Sequence, residues 1–225
     1  MFTEHIKMNQ LDVASQKVSS NNDICLLEKI HAIQFDEHQW SIPATAQLSE
    51  YLIQGLLYNQ LDIASPVNIQ LDQNQVYQVT QPNKIPHQPL TPSPMIPLQH
   101  QHIIDWVKAF KSQQTLYHQT GATHSTGFIT TDAQVLTIEC LTLKTCMHKL
   151  LGAIIKKHTE YVPILLVSHR ILSEDVSLLL KFQPQVLICQ SAISANAINI
   201  LKTHRITTFG FCRKNKFNRY SNFHL

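Results

Sequence analysis

The densest chemistry in the chain is cationic. Arg213, Lys214, Lys216 and Arg219 crowd into FGFCRKNKFNRYSNF, Phe209–Phe223, directly after a short apolar run, Ile206–Phe211, that reads as a buried strand. Ligands of α/β sheets collect beyond the carboxyl ends of the strands, where backbone donors and cationic side chains bind phosphate. Arg213 offers a planar fork of donors matched to phosphate oxygens, and Lys214 and Lys216 offer point charge. Ser168 and Arg170 follow another apolar run, Val162–Val167, on what should be the same sheet edge. The expected ligand therefore carries phosphate.

Thiol and metal chemistry are less well provided for. The five cysteines, Cys25, Cys140, Cys146, Cys189 and Cys212, form no C-x-x-C pair, so neither a zinc ribbon nor a disulfide framework is indicated. Cys140 and Cys146 flank a helix start without sharing a face and read as small buried hydrophobes, as does Cys189 inside an apolar run. Cys212 is the remaining candidate for reactivity, because Arg213 beside it would lower its pKa. The thirteen histidines offer no H-x-x-x-H pair with a nearby carboxylate or thiol, so no metal site is expected. The zinc deaminase pattern H-x-E with P-C-x-x-C is also missing, since His124 is followed by Ser125 and Thr126.

These residues need a scaffold, and 225 residues at 44% hydrophobic can bury one good core. A formal net charge of +3, with acidic residues spread along the chain, argues against a nucleic-acid scaffold. No stretch is long and apolar enough to span a membrane, and the first residues are too polar for a secretory signal, so a cytoplasmic address is expected. The segment 1–22 reads as a loose tail and 23–80 as a smaller α+β portion: a hairpin within Ile24–Trp40, then a helix over Gln47–Leu61. Six of the ten prolines fall between Pro82 and Pro97, making 81–98 a loop. The main α/β domain spans 99–225. It opens with a helix over Ile103–Phe110 and strands over Gly127–Thr130 and Gln134–Ile138. Met147, Leu150, Leu151, Ile154 and Ile155 then hold an unbroken helical period closed by Lys156 and Lys157. A parallel β-α-β-α-β unit follows, with strands at Val162–Val167, Val186–Gln190 and Ile206–Phe211 and helices capped by Ser173 and Ser194.

Five stretches in order resemble the formate dehydrogenase accessory sulfurtransferases, FdhD or NarQ. They are YLIQGLL in the helix after Pro43, QTLYHQTGATHST from Gln114, HKLLG from His148, LLVSHRILSEDV from Leu165, and the closing FGFCRKNKFNRYS. The corresponding family patterns look like Q-x-L-F-x-x-T-G-G-x-H, D-K-L-I-G, S-G-R-x-x-x-E-x-V and G-F-x-R-x-x-x-x-N-x-Y. The resemblance implies a layered α/β fold like that of the cytidine deaminases. It also implies transfer of sulfur from a cysteine desulfurase to the molybdenum bis(molybdopterin guanine dinucleotide) cofactor, carried as cargo for the catalytic subunit of formate dehydrogenase, by a protein that tends to dimerise. By the same resemblance Phe211, Cys212, Arg213, Lys214, Asn215 and Lys216 contact the guanine dinucleotide, and Thr120, Gly121 and His124 stand beside the reaction site; Ser168 and Arg170, from their place at the strand end, are expected to contact a phosphate.

Four departures matter. The family's persulfide cysteines belong to a C-x-x-C loop that should fall between about Val76 and Pro94, where this chain has none. IECLTLKTC, Ile138–Cys146, keeps only Glu139 of the family's R-E-D-V-G-R-H-N-A. His169 replaces the glycine of S-G-R, and Ala122 the second glycine of T-G-G. The expectation is a sulfur carrier and cofactor-binding accessory protein; the alternative is a binding or chaperone module that no longer carries sulfur.

Overall fold

The computed structural model describes residues 3–12, 15, 17–45, 49–65, 67–81 and 90–224. β1 (Thr3–Asp12) and β2 (Lys17–Leu26) pair antiparallel as a separate two-stranded ribbon. This corrects the reading of 1–22 as a loose tail. The segment has no sustained apolar period, and what orders it is the backbone ladder.

β3 (Glu28–Phe35) and β4 (His38–Thr45) form the expected hairpin, followed by α1 (Glu50–Leu61). β5 (Asn68–Leu71) and β6 (Val76–Thr80) complete a four-stranded sheet in the order β4-β3-β6-β5, with β6 parallel to β3. The turn between β5 and β6 is organised by Asp72, whose carboxylate accepts from the amides of Asn74 and Val76 at 2.8 and 2.9 Å. Val76–Thr80 is thus ladder and not loop; residues 82–89 of the proline-rich stretch lie outside the described residues, and 90–98 carry no regular element, as expected. Leu52, Ile53, Leu56 and Leu57 of α1 bury against Ile33, Phe35, Ile42 and Val79 of this sheet.

The larger part contains α2 (His100–Ser112), α3 (Thr115–Thr120), β7 (His124–Thr130), β8 (Val135–Cys140) and α4 (Leu143–Lys157). After these come β9 (Tyr161–Val167), α5 (Ser173–Leu180), β10 (Val186–Cys189), α6 (Ala195–Thr203), β11 (Thr207–Arg213) and β12 (Lys216–Arg219). The sheet runs β12-β11-β10-β9-β7-β8; β9, β10 and β11 are parallel, and the other pairings are antiparallel. Successive residues of β9 serve opposite cores. Leu165 and Val167 pack with α4, α5 and α6, whereas Ile164 and Leu166 pack with Ile103, Trp106 and Phe110 of α2. Burial on both faces is why these strands read as continuous apolar runs. Ser194 caps α6 by accepting from the amide of Ala197. Ser173, by contrast, is already inside α5, where Asp175 accepts from the Leu172 amide at 2.8 Å and does the capping.

The two sheets are joined through α1 and α4, which cross at backbone contact. A Cβ added at Gly55 would lie 1.7 Å from the His148 carbonyl oxygen, and one at Gly152 would lie 1.7 Å from that of Tyr51. In the same interface the Asn59 amide donates to Nε2 of buried His148 at 3.3 Å, which requires an unprotonated nitrogen there. Burial, with Lys144 adding to it, brings the His148 pKa from 6.5 down to about 4.

Two outcomes follow. Gly55→Ala or Gly152→Ala should lower stability by about 3 kcal/mol, the upper end of overpacking, read from the urea midpoint. Because the folded pKa of His148 is depressed, the unfolded chain takes up the proton first, and the stability present above pH 6.5 is lost as pH falls toward 4. Between pH 6.5 and 5 this group should remove about 1 to 2 kcal/mol, a slope that His148→Asn should flatten in denaturant titrations run across that range.

Candidate functional site

The carboxyl ends of β9, β10 and β11 open into a cleft of about 770 Å³. Ser168 and His169 follow β9, Gln190 and Ser191 follow β10, and Cys212 through Phe217 close the side at β11 and β12. The facing wall is α2, with Lys108 and Lys111, and the turn after α3, with Gly121 and His124.

Five cations, Lys108, Lys111, Arg213, Lys214 and Lys216, line this space, and no carboxylate residue does. Among the described residues the ion pairs are Lys156–Glu50 and Lys181–Asp62, both away from the cleft. Cations collected in a concavity without internal counterions raise a positive potential that favours an anionic ligand.

The closing basic stretch is an ordered hairpin. Lys214 and Asn215 both have positive φ, 50° and 60°, and form the two-residue turn that sets Arg213 opposite Lys216. Phe211, at φ 52°, sits where the β11–β12 register shifts between Gly210 and Arg213. A bulky residue in that region signals a bulge with local strain. Phe211 does not line the cleft; its ring lies 5.6 Å from the Arg213 guanidinium carbon, so it backs the arginine.

Glu139 holds both the start of α3 and the turn that follows it. Its carboxylate accepts from the amides of Leu116 and Tyr117 at 2.9 and 2.8 Å and from the Thr123 hydroxyl at 2.9 Å. Thr120 does not reach the cleft: its hydroxyl donates to the Leu116 carbonyl and accepts from the Ala122 amide. Gly121, at φ 65°, supplies the left-handed cap that ends α3, a conformation that favours glycine. Ser168 lines the cleft while its hydroxyl accepts from the Ser125 amide at 2.8 Å, locking β9 to β7.

The rings of His124 and His169 meet at a tilt of 57° with their centroids 4.0 Å apart. Burial lowers both pKa values; His124 is lowered further by His169 and Arg170, and His169 by Arg170 against an opposing effect of Asp175. Arg170 acts on the pair from outside the cleft lining. Cys212 departs from the expectation: it is buried, and burial with neighbouring Cys189 pushes its thiol up to about 12 in spite of Arg213, its neighbour in sequence. Cys189 is likewise pushed up to about 12 by burial.

Of the residues expected at the site, the cleft thus collects Gly121, His124, Ser168, Cys212, Arg213, Lys214, Asn215 and Lys216. Lys108, Lys111, His169 and Gln190 join them unforeseen. The two lysines carry no sequence signal beyond lying beside the apolar stripe of α2, where cations usually face solvent.

Residues 24–224 match the FdhD/NarQ family. The chain belongs to this family. It is 28% identical over 135 residues to the sulfur carrier protein FdhD of Bordetella bronchiseptica, covering 59% of this chain and 48% of that one. It is 25% identical over 121 residues to the sulfur carrier protein FdhD of Shewanella oneidensis, covering 53% and 44%. The chain spans about half the length of the curated relatives it matches. The crystal structure of a formate dehydrogenase accessory protein from Desulfotalea psychrophila has the same fold, with a TM-score of 0.80 at 16% identity over 99% of this chain and 98% of that one. In this member of the FdhD/NarQ family, Glu139 is the residue on which the α3 turn depends. Glu139→Ala should lower stability by about 2 kcal/mol and accelerate hydrogen exchange at Leu116 and Tyr117 while sparing β9 and β10.

Proposed function

We propose that this chain is an accessory protein of formate dehydrogenase that binds the molybdenum bis(molybdopterin guanine dinucleotide) cofactor as cargo and supports its sulfuration by a cysteine desulfurase. The observation that carries the reading is the cleft with five cations and no carboxylate in its lining, at the carboxyl edge of the parallel strands. Its volume lies within the roughly 300–1,000 Å³ that encloses ligands of nucleotide size.

Arg213 and Lys216, paired across the hairpin, line the same cleft as Lys108 and Lys111 of α2, and their combined charge suits a guanosine diphosphate arm. Arg213 directs the phosphate through its donor fork, and the lysines add charge. His124 and His169, held toward the neutral form by burial, can accept or donate a proton near the bound phosphate.

A second reading keeps the cleft and drops the sulfur: a cofactor-holding module. It is favoured by the absence of cysteine between Val76 and Pro94 and by the buried, proton-retaining thiols of Cys189 and Cys212. Under both readings guanosine diphosphate should bind, weaken steeply with salt, and lose about tenfold or more in affinity with Arg213→Ala, measured by titration calorimetry. Unchanged affinity in that variant removes the site. Restoring formate dehydrogenase activity in a deletion strain with a version carrying serine at all five cysteines would select the second reading. Rescue by the wild type alone would select the first.

A further inference from the structure

Two histidines far apart in sequence meet in the cleft. His124 opens β7 and His169 follows β9, antiparallel neighbours in the sheet. The residues beside them clamp the two strands reciprocally: the Ser168 amide donates to the Ser125 carbonyl at 3.0 Å, and the Ser125 amide donates to the Ser168 hydroxyl at 2.8 Å. A buried thiol anchors each histidine's backbone in turn. Cys146 donates to the His124 carbonyl at 2.9 Å and Cys189 to that of His169 at 3.1 Å. Held in this way, two half-buried imidazoles that both line the cleft stand with centroids 4.0 Å apart.

The charge around the pair is mostly positive. Lys108 and Lys111 of α2, and Arg213, Lys214 and Lys216 of the β11–β12 hairpin, share the cleft lining with it, beside the Tyr117 phenol of α3 and the Cys212 thiol. Arg170 adjoins His169 in the chain, and Cys140 faces His124 across the β7–β8 ladder. Two carboxylates belong to the same neighbourhood, Glu139 of β8 and Asp175 of α5, and both are occupied by backbone amides. Such surroundings disfavour an imidazolium, and burial first, then neighbouring charge, holds both rings below the ordinary imidazole range. Two protonated rings at this separation would repel at close range, so the pair has room for one proton.

A diphosphate reverses this balance, because negative charge beside the pair makes an imidazolium, with both ring nitrogens donating, the favoured form. We propose that His124 and His169 form a proton-loading subsite: given that the cleft takes a diphosphate, as read above, binding draws one proton from solvent onto the pair, and that imidazolium holds the phosphate. The proton returns to solvent on release, and no bond other than one N–H changes. By linkage, the proton tightens the diphosphate by the factor by which the diphosphate tightens the proton. The pair's pKa is depressed without the ligand and raised with it. The gain in affinity is therefore present on the acid side and is lost as pH rises through the ligand-bound value. His169 stands where the S-G-R pattern has glycine, so the second ring is a feature of this chain.

Titration calorimetry with guanosine diphosphate at about pH 7.3, run in PIPES and in Tris, counts the protons exchanged, because the two buffers differ in ionisation enthalpy. The wild type should take up between about half and one proton, and its affinity should fall about three- to tenfold between pH 6.5 and 8. The ligand's own terminal phosphate, binding to cations, releases a proton, which is the opposite sign. A variant carrying both His124→Gln and His169→Gln should lose the uptake and the fall in affinity toward alkaline pH. Wild-type protein that binds with equal heats in the two buffers, or with proton release, overturns the subsite and leaves the cleft reading standing. Absence of binding across that pH range removes both. Uptake undiminished in the double variant assigns the proton to another group and also overturns the subsite. The wild-type measurement does not depend on the variant folding.

Discussion

Burial of β9, β10 and β11 on both faces is the constraint from which the rest follows. With one core of α4, α5 and α6 on one side and α2 on the other, these strands have no solvent-facing side along their length. Their chemistry is confined to the carboxyl ends, where Ser168, Gln190, Ser191 and the β11–β12 hairpin emerge together. Switch-edge clefts of this kind are general to α/β sheets, but their charge is not. Here the charge comes from both sides of the opening, a helix that covers one sheet face and a hairpin that ends the sheet.

The cleft's two walls are fixed by different means. On the α3 side a single carboxylate, Glu139, collects two amides and two hydroxyls, so its charge is spent on these donors and does not enter the cleft. On the other side the backbone itself is bent, with positive φ at Phe211, Lys214 and Asn215. Strain that persists beside a site is held by surrounding structure, and here that support includes Gly210, where an added Cβ would fall 2.7 Å from the Tyr220 ring. The α1–α4 crossing links this part to the four-stranded sheet through a contact that tolerates no side chain at Gly55 or Gly152.

The parallel unit and α4 were legible because their apolar period is set directly by burial: two-sided for Val162–Val167, one stripe for Met147–Ile155. The β1–β2 ribbon was not, since its polar sequence carries no face to read and its order lies in backbone pairing. β12 was hidden for a related reason, because its side chains are mostly cationic and their strand geometry depends on the Lys214–Asn215 turn. Arg213, Lys214 and Lys216 could be picked out as an anion site by local density, whereas Lys108 and Lys111 could not. Their part depends on which way α2 lies once Ile103, Trp106 and Phe110 are buried. Cys212 gained nothing from adjacent Arg213, because it packs with Phe209 and Ile188 and burial raises its thiol.

The central claim is that the strand-end cleft is an anion site for a guanylate diphosphate, and the most direct measurement is amide chemical-shift mapping as guanosine diphosphate is added. The account predicts that Ser168, His169, Gln190, Lys214, Asn215 and Lys216 shift together and saturate at one concentration, with Lys108 and Lys111 moving in step. Saturable shifts confined to other surfaces, or none at all at low ionic strength, would contradict it.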